Sequence, residues 1–150
     1  MKKPENPAKV FLRQYLSLTA RVDALKSAID DAMSRAYGTQ ITLKEVKVLS
    51  SPAEHDPMAK DVCTAVDACE ELYKAKAEAD RKLFDILKAI DSVNDETQKT
   101  LLTLRYITGC DFTEIMERMH YERSQVFVIH GRALVQVNNY LHERQVLKDA

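Results

Sequence analysis

The sequence predicts an all-α protein in which a long N-terminal antiparallel helical hairpin, coiled-coil-like in its pattern, is followed by a three-helix domain with a helix-turn-helix. The 150 residues include only 3 Gly and 4 Pro, which fits a helical chain with few turns. Two long stretches carry apolar residues at a period close to 3.5, as packed helices do. We therefore expect a hairpin arm over residues 1–93 and a helix-turn-helix domain over residues 94–150.

The first helix follows a short leader with two prolines and carries a heptad seam. Its apolar residues recur at alternating steps of four and three over nearly four repeats. Gly38 stands where a C-terminal cap is expected. The seam residues are Phe11, Tyr15, Leu18, Val22, Leu25, Ile29, Ala32 and Ala36.

The second helix follows an irregular connector, which is predicted over residues 39–58 because two prolines and paired serines interrupt the pattern. Two heptad helices of similar length, joined by a loop, most simply pack antiparallel. Lys76 and Ala79 weaken the centre of the second seam, so a further partner, such as a second copy, would cover it. The seam residues are Val62, Val66, Cys69, Tyr73, Lys76, Ala79, Leu83, Ile86 and Ile90.

The arm as a whole has two interpretations. It packs on the C-terminal domain, or it forms an oligomerisation or polymerase-docking surface. The heptad spacing is compatible with both.

The C-terminal domain opens with a helix that Asn94 or Asp95 caps, because Asn and Asp side chains accept hydrogen bonds from the first turn. Gly109 ends this helix. Asp111 and Glu114 have the spacing of a capping box and begin a short second helix.

A turn at residues 120–122 and a last helix from Arg123 to about Leu147 complete the pattern. A short helix, a tight turn and a longer helix match the geometry that places a recognition helix in the major groove. Arginine and glutamine side chains can hydrogen-bond phosphates or base edges. Exposed apolar side chains would instead need a cover, namely thymine methyls, a protein surface or the hairpin. The predicted DNA-contact residues are Arg123, Ser124, Gln125, Phe127, Val128 and Arg132.

Composition and charge exclude several classes. The net charge is −1, which argues against a general polyanion binder. Neither a Gly-rich phosphate loop nor a nucleophile near a base is present, so an enzyme is not expected. The 3 Cys and 4 His follow no metal-ligand spacing, so we expect buried reduced thiols, no metal and no cofactor. Without a long apolar run or a signal peptide, the prediction is a cytoplasmic protein with no membrane contact.

Residues 96–137 resemble the fourth-region domain of bacterial sigma factors, which reads the upstream promoter element. The matching residues are Leu101, Leu104, Arg105 and Tyr106 in the opening helix, Thr113–Ile115 and Met119 in the next, and Val126, Ile129 and Arg132–Leu134 in the last. The chain is more closely similar to a family of phage and prophage proteins of Gram-positive bacteria, which are regarded as sigma-like or as late-gene transcriptional regulators. The shared elements are Arg105–Gly109, Tyr121–Leu134 and a Ser-Ser-Pro connector like residues 50–52.

Two departures from the sigma-like pattern bear on function. His120 replaces the usual turn glycine, and Phe127 and Val128 occupy positions where the pattern has Arg or Gln. Losing cations removes part of the counterion-release contribution to DNA affinity. The resemblance therefore implies a phage-derived transcriptional regulator that binds DNA weakly alone, with RNA polymerase or a homodimer through the arm as partner. The alternative is a non-catalytic structural or adaptor protein of a phage complex, for example in packaging.

Overall fold

The computed structural model describes the backbone of residues 1, 3–47 and 57–150, and the side chains of residues 1, 3–38 and 63–150. Helices account for nearly all of these residues, and no strand occurs among them, which confirms the all-α class. None of the helices in this part of the chain combines the length and apolar content that crossing a membrane requires. The elements are α1 (Pro7–Lys47), α2 (Pro57–Asp91), α3 (Glu96–Leu102), a π-helical segment (Thr103–Thr108), α4 (Phe112–Met119) and α5 (Arg123–Asp149).

Helix α1 is longer than predicted. It continues through Gly38 to Lys47, so the predicted cap at Gly38 and the predicted irregular structure over residues 39–47 were wrong. A glycine inside a helix costs about 1 kcal/mol relative to alanine, but it ends the helix only where it adopts the left-handed conformation. Among the described glycines, only Gly109 has positive φ. Residues 48–56 of the predicted connector lie outside the described residues.

Contacts divide the chain into two compact units. The first contains Met1–Thr19 and Arg81–Ala150, and the second contains Ala20–Asp80. This division does not coincide with the predicted boundary at residue 93. The reason is that Leu12 of α1 and Ile86 of α2 pack in one cluster with residues of the C-terminal helices.

The first unit has two clusters of buried side chains. One joins the ends of α1 and α2 to α3 and α5, and the other lies between the opening helix, α4 and the start of α5. The first cluster contains Ala8, Leu12, Ile86, Ala89, Ile90, Val93, Leu102, Tyr106, Ala133, Leu134 and Val137. The second contains Leu101, Cys110, Ile115 and Val126, with Leu104, Phe112, Met116, Met119, Tyr121 and Ile129 packed against it.

Polar contacts also hold the start of α1 to α5. The side-chain oxygen of Asn138 accepts a hydrogen bond from the Ala8 backbone N–H at 2.9 Å. The Asn138 amide donates to the Asn6 side-chain oxygen at 3.0 Å. A helix N-terminus has N–H groups without intrahelical partners, and Asn138 satisfies one of them from another helix.

In the second unit, α1 and α2 form the predicted antiparallel hairpin. The Tyr73 hydroxyl donates to the Met33 sulfur at 3.5 Å, and Val22, Ile29 and Ala79 are buried. The second seam is only partly covered, because Tyr73 remains 51% exposed. A homodimer through the arm stays a prediction.

The three cysteines are free thiols. Cys110 is buried and Cys69 is half-buried, whereas Cys63 is exposed. The prediction of buried thiols was therefore wrong for Cys63, which lies off the heptad seam of α2.

Candidate nucleic-acid interface

The N-terminus of α4 has the predicted capping box. The Asp111 carboxylate accepts from the Glu114 N–H at 2.9 Å, and the Glu114 carboxylate accepts from the Asp111 N–H at 2.8 Å. These reciprocal bonds satisfy two backbone donors at the helix start. The two bonds therefore fix the direction in which α4 begins after the π-helical segment.

The turn between α4 and α5 depends on His120. This residue has φ 56° and ψ 40°, the left-handed conformation, and ends α4. It is the only non-glycine residue with positive φ among the described residues. The Tyr121 N–H then donates to the Met116 carbonyl at 3.3 Å. His120 thus adopts the left-handed conformation that glycine takes most readily at the end of a helix.

The first turn of α5 is held by Gln125. Its side-chain oxygen accepts from the Glu122 N–H at 3.1 Å. The amide nitrogen of Gln125 makes none of the described hydrogen bonds. One end of this side chain is therefore used in capping, and the other can donate to a ligand.

The rotation of α5 about its axis is set by its buried side. Val126, Ala133 and Val137 have no exposed surface, and Val126 packs with Ile115 of α4. Because these positions are seven and four residues apart, close to two turns and one turn, they share one side of the helix, and the opposite side faces outward. All six predicted DNA-contact residues are exposed, namely Arg123, Ser124, Gln125, Phe127, Val128 and Arg132.

Phe127 is partly exposed and packs against a second aromatic ring. Its ring lies 4.7 Å from the ring of Phe112, and the Arg123 guanidinium lies 5.5 Å from the Phe127 ring. On the Phe112 ring, Arg105 lies at 4.6 Å. Guanidinium groups over aromatic rings are attracted by the ring quadrupole. Phe112 therefore covers part of the Phe127 ring, and 42% of the Phe127 surface stays exposed. The sequence alone left open what covers this side chain.

Beside Val128, which is 52% exposed, the surface has a depression of about 330 Å³. Its lining combines apolar side chains with hydroxyl, amide and guanidinium donors. Those are the groups that contact thymine methyls, base edges and phosphates. The lining residues are Tyr121, Ser124, Gln125, Val128, Ile129 and Arg132.

Sequence reasoning missed a buried polar pair beneath this surface. The Tyr106 hydroxyl and His130 Nε2 are 2.9 Å apart, and Phe112 meets the His130 ring edge-on. Burial lowers the pKa of His130 to about 4, with smaller contributions from Lys9 and Arg105. Burial also raises the pKa of Tyr106.

His130 is therefore neutral near pH 7 and anchors α5 from within. The available signal was its spacing from Val126, Ala133 and Val137, which places it on the buried side of the helix.

Residues 43–138 match a family described as "Protein of unknown function (DUF1492)". The chain belongs to this family. No curated protein and no solved structure matches the chain.

The DUF1492 match covers nearly two thirds of the chain. It includes α2, α3 and α4 in full and α5 as far as Asn138. The capping box, the His120 turn and the six exposed residues of α5 therefore belong to the family segment, whereas residues 1–42 lie outside it.

Proposed function

We propose that this DUF1492 chain is a non-catalytic, phage-derived transcriptional regulator of sigma-like type. It contacts promoter DNA through the first three turns of α5. The observation that carries the proposal is the exposure of all six candidate residues in the first three turns of that helix, directly after the left-handed turn at His120.

The side chains on this surface suit both kinds of DNA contact. Arg123 and Arg132 are cations for phosphates, and Ser124 and Gln125 carry hydrogen-bonding groups for base edges or phosphates. The exposed part of Val128 suits a thymine methyl. A single helix would thus supply both the phosphate contacts that position the protein and the base contacts that recognise the sequence.

The electrostatic balance makes the binding weak without a partner. The domain is close to neutral, so few phosphates are neutralised and the counterion-release contribution is small. RNA polymerase, or a second copy of the chain, would supply the remaining affinity by bringing α5 to the promoter.

A salt-dependent anisotropy titration tests the proposal. The probe is a fluorescent duplex that the protein has enriched from a randomised 30-base-pair pool. The logarithm of the binding constant should fall linearly with log salt, with a slope of about −2 for two neutralised phosphates. Arg132→Ala should reduce that slope by about 1.

The matched control is Arg21→Ala, because Arg21 is an exposed arginine of the second unit. Its loss should leave the slope unchanged. If no duplex is enriched, and micromolar protein shows no binding with or without RNA polymerase, the proposal fails.

A second candidate is a structural or adaptor protein of a phage complex. The observation that favours it is the apolar exposure of α5, since Val128 is 52% and Val135 is 57% exposed. Apolar side chains of this kind on one helix face suit a protein surface. Light scattering after size exclusion separates the two, because a ring-sized oligomer supports the adaptor and a monomer or dimer supports the regulator.

A further inference from the structure

The three glycines of the chain differ in what their surroundings require. Gly109 has φ +83°, and a Cβ built there would lie 3.2 Å from Leu16 Cδ1. Gly38 and Gly131 lie inside α1 and α5, and a Cβ at either position meets nothing within 4 Å. Packing within the described part of the chain therefore explains Gly109 and does not explain Gly131.

Gly131 lies within the candidate interface, whereas Gly38 lies in the second unit. Gly131 is exposed, follows Val128 by one turn, precedes Val135 by one turn and adjoins Arg132. Glycine is the poorest helix former after proline. A glycine with open space around it, in the middle of this exposed face, is consistent with a contact outside the chain that needs the helix backbone uncovered.

The position of Gly131 along α5 indicates which part of a duplex it would meet. It lies eight residues after Arg123, or about 12 Å along the helix axis at 1.5 Å per residue. In a helix-turn-helix complex the N-terminal residues of the recognition helix reach the base edges. In one variant of this motif the C-terminal part of the recognition helix contacts the DNA backbone, so a point this far along α5 is expected to meet sugar and phosphate rather than base edges.

We infer that Gly131 is a positioning residue, at which the sugar–phosphate backbone of duplex DNA packs directly against α5 while Arg132 contacts the adjacent phosphate. This inference rests on the proposed function. A methyl group at position 131 would push the duplex outward. Hydrogen bonds weaken steeply beyond their normal length, so the Arg132 contact would be lost.

Two alanine substitutions test the inference as a matched pair, Gly131→Ala and Gly38→Ala. Both should raise the melting temperature by about 2–4 °C, because both improve helix propensity without a clash. On the enriched duplex, Gly131→Ala should weaken binding by roughly tenfold, the size of one lost charged hydrogen bond. Gly38→Ala should bind as the wild type does. Gly131→Leu should bind less tightly than Gly131→Ala.

The outcomes separate the inference from the proposed function. If the wild-type protein enriches no duplex and binds none, the proposed function fails and the inference fails with it. If the wild type binds and Gly131→Ala binds equally well, the inference alone is overturned. A fall in melting temperature specific to Gly131→Ala would also overturn it, because the glycine would then serve the chain's own packing.

Discussion

The two units of the chain carry the same heptad pattern and bury it to different extents. In the first unit the ends of α1 and α2 are covered by α3 and α5 as well as by each other, so Leu12 and Ile86 are almost wholly buried. In the second unit α1 and α2 pack as a pair, and Tyr73 on the predicted seam stays half exposed. A pair of helices covers one side of each, and a closed core needs a further layer. Periodicity therefore predicts the helices and leaves their degree of burial open.

The largest effect is expected from a core deletion in the first unit. Leu102→Ala removes a side chain without exposed surface and should lower the free energy of unfolding by about 3 kcal/mol. Urea denaturation followed by circular dichroism measures it. The counterpart in the second unit is Val66→Ala, which removes an exposed side chain and should cost under about 0.5 kcal/mol. Equal effects at the two positions would contradict the comparison.

The next effect is a loss of stability in acid that belongs to the first unit. His130 has a folded pKa of about 4, below its ordinary value of 6.5, so the unfolded chain binds the proton more readily. Its contribution is complete above pH 6.5 and is lost as the pH falls towards 4, by on the order of 1–3 kcal/mol. Denaturation at a series of pH values measures the slope. His130→Phe should reduce the loss in this window, and an unchanged slope would contradict the assignment.

A smaller effect is expected where α5 caps α1. Asn138→Ala removes one of the two acceptors of the Ala8 N–H, the other being the Asn6 side-chain oxygen, and should cost about 1 kcal/mol, as loss of a hydrogen bond does. Thermal unfolding measures it. Gln145→Ala is the control, because its described hydrogen bonds are to exposed Asp149 within α5. If the two variants are equally stable, the Asn138 contact does not hold the start of α1.

The smallest effect concerns the turn. His120→Gly should stabilise the protein by about 0.5–1 kcal/mol, because glycine adopts the left-handed conformation without steric cost. Gly109→Ala should have the opposite sign, since that position has φ +83° and a close neighbour in Leu16. Melting temperatures measure both. A loss of stability in His120→Gly would mean that the imidazole makes a contact that outweighs the strain.

Much of this fold follows from local signals in the sequence. Residue types and their spacing along the chain are enough to predict several local features. These are the caps at Asp95 and Asp111, the turn at His120 and the buried side of α5. The length of α1 and the coverage of α2 depend on tertiary contacts, which a seam alone does not specify. A mid-helix Gly38 and a terminal glycine look alike in sequence until the backbone conformation is known.

The candidate interface was predictable to a similar degree. Exposure of the six residues on α5 follows from helical periodicity once Val126 is placed inside. The packing of Phe127 on Phe112 and the burial of His130 against Tyr106 join residues from different helices. Spacing within α5 places His130 on the buried side of the helix, but it predicts neither its Tyr106 partner nor the packing of Phe127 on Phe112.

The proposed DNA contact is tested most directly by amide chemical-shift mapping of the full chain as the enriched duplex is added. Perturbations should concentrate in residues 121–135, with Gly131 and Arg132 among the largest, and should fade as salt is raised. Perturbations centred instead on α2, or a spectrum that does not change at protein and duplex concentrations near 100 micromolar, well within reach of even nonspecific binding, would contradict it.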